Sequence, residues 1–268
     1  MNGFPSLRVT GIGLIALALT FAITTSTLAA DAASRAEKPI ESLAASGQAF
    51  APKKEGTLRV LMVGGGSSHD FEKFFHQADK ALLKEAQRID PIYTENAEEA
   101  VARLAETDVL VLSANHRSFG LSPFQSALKT FADAGKGIVI VHAGVWNNWP
   151  PATGFNYRFV GGGTPSHGAG TFTVSQLGQA HPVLEGVAKA FEIQDELYRP
   201  ALGSGSPVTV LAETSEDPKT NRRWPSIWLV EDPKAKIVCI ALGHGKEAHE
   251  NKAYQQLLRN SVRWVASR

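Results

Sequence analysis

The stretch Gly137-Ile138-Val139-Ile140-Val141-His142-Ala143-Gly144-Val145-Trp146 decides the fold. Its β-branched run has no polar interruption and reads as a strand buried on both faces, as in a parallel sheet covered by helices. The run stops at a histidine, an alanine and a glycine, so the strand opens abruptly into a loop. Ligands of open α/β sheets bind outside the carboxyl ends of the strands, which puts His142 where chemistry is expected.

The residues upstream repeat the pattern. Leu58–Val63 predicts a first strand, followed by the loop Gly64-Gly65-Gly66-Ser67-Ser68-His69-Asp70. Phe71, Phe74, Phe75, Ala78 and Leu82 then fall at helical spacing on one apolar face. Pro91–Thr94 reads as a strand, residues 98–105 as a helix, and Val109–Leu112 as a strand that ends in Asn115 and His116. Ser122-Pro123-Phe124-Gln125 predicts a helix start, with Ser as cap, Pro at the first position and Gln reaching back. Strands alternating with helices imply a mostly parallel, flavodoxin-like α/β sheet with helices on both faces.

Downstream the alternation breaks. Residues 146–168, with Trp146-Asn147-Asn148-Trp149-Pro150-Pro151 and Gly161-Gly162-Gly163, form a long loop of the kind that serves as a lid. Residues 170–174, 191–198, 208–212 and 225–230 then read as strands, the last two antiparallel. Lys236–Leu242 is another buried strand, ending in Gly243-His244. Tyr254, Leu257, Leu258, Ser261, Val262 and Val265 line a closing helix.

Composition narrows the functional classes. The chain of 268 residues carries a net charge of +1 without a long basic run, which argues against a nucleic-acid partner. Arg8, the uncharged stretch from Val9 to Ala30 and the small residues that follow predict a signal peptide over residues 1–30. An uncleaved membrane anchor is the alternative, since the run is long enough to span. No cysteine lies near the cleavage region, so the expected product is a periplasmic or extracellular protein and not a lipoprotein. Residues 31–56 read as a poorly ordered linker and residues 57–268 as one domain. The lone cysteine, Cys239, rules out an intramolecular disulfide. The glycine loop lacks both the G-x-G-x-x-G order and a Gly-Lys-Ser/Thr, so no nucleotide cofactor is expected.

His69, His116 and His142 follow three strands at corresponding places, and His244 follows a fourth. This coincidence predicts a shared pocket. His142 and His244 are candidate acid–base groups. His69, His142 and His244 are candidate ligands for a divalent ion such as Zn²⁺, although no H-x-x-x-H spacing supports one. Asp195 and Glu196 are candidate carboxylates, and alternation along a strand points only one of them at the pocket. Trp146, Trp149, Asn147, Asn148, Tyr157 and Arg158, together with Asn115, His116, His69 and His167, are side-chain types that face sugars. His76 and His249 read as solvated, and Cys239 as a small core residue.

The chain resembles the trehalose-utilisation, ThuA-like family. The resemblance rests on Gly-Gly-x-x-x-His-Asp at 64–70, Gly135 and Gly137 with His142-Ala143-Gly144, Phe159–Gly162 with His167, and His181-Pro182-Val183. It continues through Asp195-Glu196-Leu197-Tyr198, Pro225-Ser226-Ile227-Trp228 and Leu242-Gly243-His244. It implies a class I glutamine amidotransferase-like fold and a role in disaccharide or 3-keto-glycoside metabolism. Amidotransferases place a nucleophilic cysteine after the strand that corresponds to 138–141. Here that place reads His142-Ala143-Gly144, so glutamine hydrolysis is not expected. Two readings stay open, an enzyme using histidine, carboxylate or metal chemistry on a sugar and a non-catalytic carbohydrate-binding protein. A third, a protein-interaction module, rests on Trp224 and Trp228, which core packing also explains.

Overall fold

A computed structural model of the chain describes residues 46–267; the predicted signal segment and the first part of the linker lie outside them. In chain order the strands are β1 (Leu58–Gly65), β2 (Ile89–Thr94), β3 (Val109–Ala114), β4 (Gly137–Val141) and the short β5 (Gly162–Gly163). Then come β6 (His167–Gln176), β7 (Ala190–Tyr198), β8 (Ala201–Leu202), β9 (Val208–Thr214), β10 (Pro225–Glu231) and β11 (Lys236–Ile240). The helices are α1 (Lys80–Glu85), α2 (Ala97–Leu104), α3 (Ser122–Asp133), α4 (Lys246–Glu250) and α5 (Lys252–Ala266).

Nine strands form one sheet in the order β2-β1-β3-β4-β11-β10-β9-β6-β7. The pairings among β2, β1, β3, β4 and β11 are parallel, and those from β11 through β10, β9 and β6 to β7 are antiparallel. This is the mixed α/β architecture expected. The alternating side chains of the parallel strands feed two cores. Val60, Met62, Val109, Val111, Val139 and Val141 pack with Phe75, Leu83, Tyr254 and Leu258 on one face. Leu61, Val63, Leu110, Leu112, Ile138 and Ile140 pack with Leu104, Phe124, Leu128 and Phe159 on the other. Every residue of β4 is buried, as its apolar run requires. A Cβ at Gly137 would lie 2.4 Å from the Val265 carbonyl oxygen, so the bare residue lets α5 close over the start of this strand.

Four local readings differ from the structure. Residues 72–79 form a π-helical segment before α1, which turns Asp79 inward. Ser122 does not cap α3; the cap position is Leu121, and Gln125 instead donates its amide N–H to the Phe119 carbonyl at 2.7 Å. The loop after β4 carries short turns and the two-residue β5, which pairs with β8. Residues 46–56 are coil, yet Phe50 is buried, and Gln48 Oε1 accepts from Lys80 Nζ and from the Tyr93 N–H. Among the described residues no helix is long and apolar enough to cross a membrane.

Candidate metal-binding active site

Parallel strands all end at one edge, so the residues that follow them meet there. His69 comes from the loop after β1, His142 from the residue after β4, and His244 from the turn after β11. Their rings lie 4.7 Å (His69–His142), 4.7 Å (His69–His244) and 5.5 Å (His142–His244) apart, centre to centre. The fourth member, Glu196, comes from β7. In the sheet order β7 is separated from β4 by four strands, yet Glu196 Oε2 lies 3.3 Å from His142 Nε2 and 3.2 Å from His244 Nδ1. The antiparallel half therefore folds back over the edge where the histidines stand.

One ligand atom from each of His69, His142, Glu196 and His244 lies within 4.8 Å of the others, so this cluster could hold a metal ion. Tetrahedral coordination with bonds of about 2.0–2.1 Å puts neighbouring donors about 3.4 Å apart, close to the two carboxylate–imidazole distances. Hydrogen bonding supports the same assignment. The Ala241 carbonyl can only accept, so His142 Nδ1 carries the proton donated to it at 2.7 Å. In the neutral ring Nε2 is then a lone pair facing a carboxylate, an arrangement that wants a cation between them. The Nε2 atoms of His69 and His142 are both buried without a hydrogen bond, since the 3.3 Å approach to Glu196 fails hydrogen-bond geometry. A histidine that bonds a carbonyl through one nitrogen and presents the other inward has the usual form of a metal ligand. Ser68 Oγ takes the amide N–H of Asn115 at 2.6 Å and lies 2.5 Å from His69 Nδ1, so it can fix that ring in the same sense.

Electrostatics agree with the geometry. Burial, then the neighbouring His142 and His244, push the His69 imidazole well below its ordinary value and keep it neutral. Burial alone would raise Glu196, but His142 and His244 outweigh it and hold this carboxyl far below the usual range. The site thus keeps a charged carboxylate among imidazoles.

The adjacent carboxylate has a different task. Asp195 is buried and accepts the backbone N–H groups of Gly243 and His244 at 2.8 and 2.9 Å. It holds the turn that carries His244 and does not face the cavity. His249, read from its charged neighbours as solvated, is also buried in the structure. It bonds Asp79 Oδ1 at 2.8 Å and the Gly243 carbonyl at 3.1 Å, while Tyr254 donates to Asp79 Oδ2.

A cavity of about 250 Å³ opens over the cluster, lined by His69, Glu196, Ser68, Asn115, Trp146, His167 and Tyr198. His167 Nδ1 stands 3.3 Å from Glu196 Oε1 at the exposed mouth. Of the other candidates, Asn147 and Trp149 line a neighbouring cavity of about 450 Å³. His116 does not join the cluster; it is buried, and its Nδ1 caps its own turn through Ser118. Arg158 is drawn away to Asp133 and Asp232, beside the end of α3 and the end of β10, at the opposite edge of the sheet. Trp228 is a core residue with its indole N–H on the Val160 carbonyl, which removes the basis for an interaction surface there.

Sequence reading passed over Ser68 and Tyr198 as site residues. Tyr198 stacks on His142 at 4.3 Å; its place two residues after Glu196, on the same strand face, was the available signal. Asn148 is buried and ties the lid to the ends of β3 and β4 through the Ala114 and Ala143 carbonyls. His142 itself has φ +38°, a strained backbone for a non-glycine residue. His142 thus opens a tight turn directly after β4, with an imidazole and no thiol or hydroxyl at its first position. Cys239 is fully buried in β11, and burial pushes its thiol up, so it supplies no thiolate.

A model of the ThuA family, described as trehalose utilisation, matches residues 59–265. A putative ThuA-like protein from Parabacteroides merdae shares 20% identity at a TM-score of 0.69, covering 79% of this chain and 90% of its own. A putative ThuA-like protein from Bacteroides uniformis shares 19% at a TM-score of 0.64, covering 80% and 94%. The PurLQS structure from Thermotoga maritima shares 10% at 0.51, covering 78% and 99%, a likeness of fold alone. No protein in the curated set compared matches the chain.

Proposed function

The chain belongs to the trehalose-utilisation (ThuA) family, and from that premise we propose that it is a metal-dependent enzyme acting on a disaccharide or its 3-keto derivative. The observation that carries the proposal is the convergence of one ligand atom each from His69, His142, His244 and Glu196, two of which line the cavity. A divalent ion held by these four atoms would supply Lewis acidity toward a sugar oxygen. The chain's own residues do the rest. Trp146 offers a flat apolar face to a pyranose, and Asn115 and Tyr198 offer polar groups to its hydroxyls. Glu196 turns one oxygen toward His142 and His244 and the other toward His167. His167, 42% exposed, is placed to pass a proton between the cavity and solvent. With no thiolate available, the chemistry is not glutamine hydrolysis. The leader read over residues 1–30 makes the mature enzyme an exported one, and cell fractionation with and without that segment checks this.

The test is metal content and turnover together. Protein purified without chelator should carry about one equivalent of a transition metal, and the His142→Ala variant should carry none. Turnover of 3-ketotrehalose should stop on chelation and return with metal. Full turnover by demonstrably metal-free protein would sink the metal reading. Metal and sugar binding without turnover of any sugar would replace the enzyme with a carbohydrate-binding protein.

A further inference from the structure

We propose that the second cavity, beside Trp149 and Tyr157, is a subsite for the non-reacting ring of a two-ring sugar. The inference rests on the carbohydrate reading above and extends it to the place where the second ring sits. The cavity over the histidines, about 250 Å³, falls below the ~300–1,000 Å³ usual for ligand pockets and suits a single ring. The neighbouring cavity, about 450 Å³, lies within that range. The same two segments wall both. Trp146 lines the first and Asn147 the second; Gly163 and Pro165 line the second and His167 the first. A substrate with two linked rings would place one on each side of this shared wall.

The second cavity is built with some specialisation. Trp149 has φ +59°, one of four non-glycine residues with positive φ among the described residues. Strain of this kind is kept where a side chain must be aimed. The indole is fixed by its N–H on the His116 carbonyl at 3.0 Å and lies over Gly120, where a Cβ would come within 2.6 Å of the ring. Tyr157, 44% exposed, leaves an aromatic ring open to solvent at the cavity. The Asn147 carboxamide lies over Gly163 and makes no hydrogen bond to the described residues, so it is available to a ligand hydroxyl. An aromatic platform with an uncommitted amide fits the alternating apolar faces and polar rim of a pyranose.

The probes are trehalose and glucose, titrated by calorimetry into the full mature chain. Trehalose should bind more tightly than glucose. Tyr157→Ala and Asn147→Ala should each weaken trehalose about fivefold, the worth of one ring contact or hydrogen bond, and weaken glucose less than twofold. Both side chains are exposed, and unchanged metal content and melting temperature verify that the variants fold. Equal binding of the two sugars by the wild type, or equal losses for both in the variants, overturns the subsite. The outcome separates from the fate of the enzyme reading when the titrations are repeated on chelator-treated protein. Trehalose preference that survives there supports the subsite whether or not the metal chemistry stands, and its absence from chelator-treated protein that still shows a folded melting transition overturns the subsite alone.

Discussion

Asp195→Asn isolates what the buried carboxylate contributes to the metal site without touching a ligand. Its two oxygens accept the N–H groups of Gly243 and His244 at 2.8 and 2.9 Å. A hydrogen bond to a charged acceptor is worth about 1.5–3 kcal/mol, and an unpaired buried donor costs about 1–3 kcal/mol. Asparagine keeps one acceptor but turns an NH₂ toward the other N–H. One charged bond is lost, one donor is left facing a donor, and the surviving bond weakens. The expected loss of unfolding free energy is about 3–5 kcal/mol. For a domain of this size that lowers the melting temperature by about 6–20 °C. The displaced turn carries His244, so metal affinity should fall about 10–100-fold, the effect usual for a residue that orients a ligand. Urea unfolding of metal-free protein gives the first quantity and competitive chelator titration the second. Glu196→Gln is the contrast: it should abolish tight metal binding by removing a ligand oxygen, while the backbone bonds of Asp195 to Gly243 and His244 stay in place. If Asp195→Asn unfolds within 1 kcal/mol of wild type and binds metal within threefold of it, the division of labour between these neighbours is refuted.

Other expectations follow from the same geometry. In His249 burial pushes the imidazole down, but Asp79 outweighs it and holds the ring above its ordinary value. Its stabilisation is therefore complete below about pH 6.5 and is lost as pH rises through the folded value. The stability gap between wild type and His249→Gln, measured by urea unfolding, should be widest near pH 5.5 and narrow toward pH 9; a gap that widens with pH would reverse the assignment. Arg158→Ala should cost about 1.5–3 kcal/mol, because it leaves the buried Asp232 carboxylate without its guanidinium, and should leave metal content and sugar turnover unchanged, because Asp133 and Asp232 lie away from the cavity. A change in sugar affinity in that variant would return Arg158 to the site. Cys239 should resist iodoacetamide in the native protein while Cys239→Ala keeps its metal content and turnover; rapid labelling accompanied by inactivation would contradict its buried, inert role.

The histidines were legible because the rule that places them is local. Parallel strands end at a common edge, and a histidine just past such an end is visible as soon as the apolar run is found. The fold followed from the same runs. What was not legible depended on contacts across long sequence separations. Asp195 and Glu196 are interchangeable in a strand pattern; their roles differ because β7 folds back so that one meets backbone N–H groups and the other meets imidazoles. His249 sits among charged neighbours and reads as surface, but the π-helical segment turns Asp79 inward to meet it. Arg158 belongs to a lid-like stretch by sequence, yet two aspartates at the far edge claim its guanidinium. Ser122 has the form of a helix cap, yet Leu121 holds that position and the Gln125 amide is spent on the Phe119 carbonyl.

The four donor atoms belong to segments distributed from residue 69 to residue 244, three in the parallel half of the sheet and one on the antiparallel edge strand. An ion bound by them would be a staple. It would close loops that span most of the domain and tie β7, at the far edge of the sheet, to the ends of β1, β4 and β11, none of which pairs with it. Constraining long loops removes entropy from the unfolded chain, and binding only the folded state adds about 4 kcal/mol when the metal stands at a thousand times its dissociation constant. A chain with a single cysteine cannot obtain such a tie from an internal disulfide. The same four residues would then set both the chemistry of the cavity and the tension that keeps the sheet folded over it.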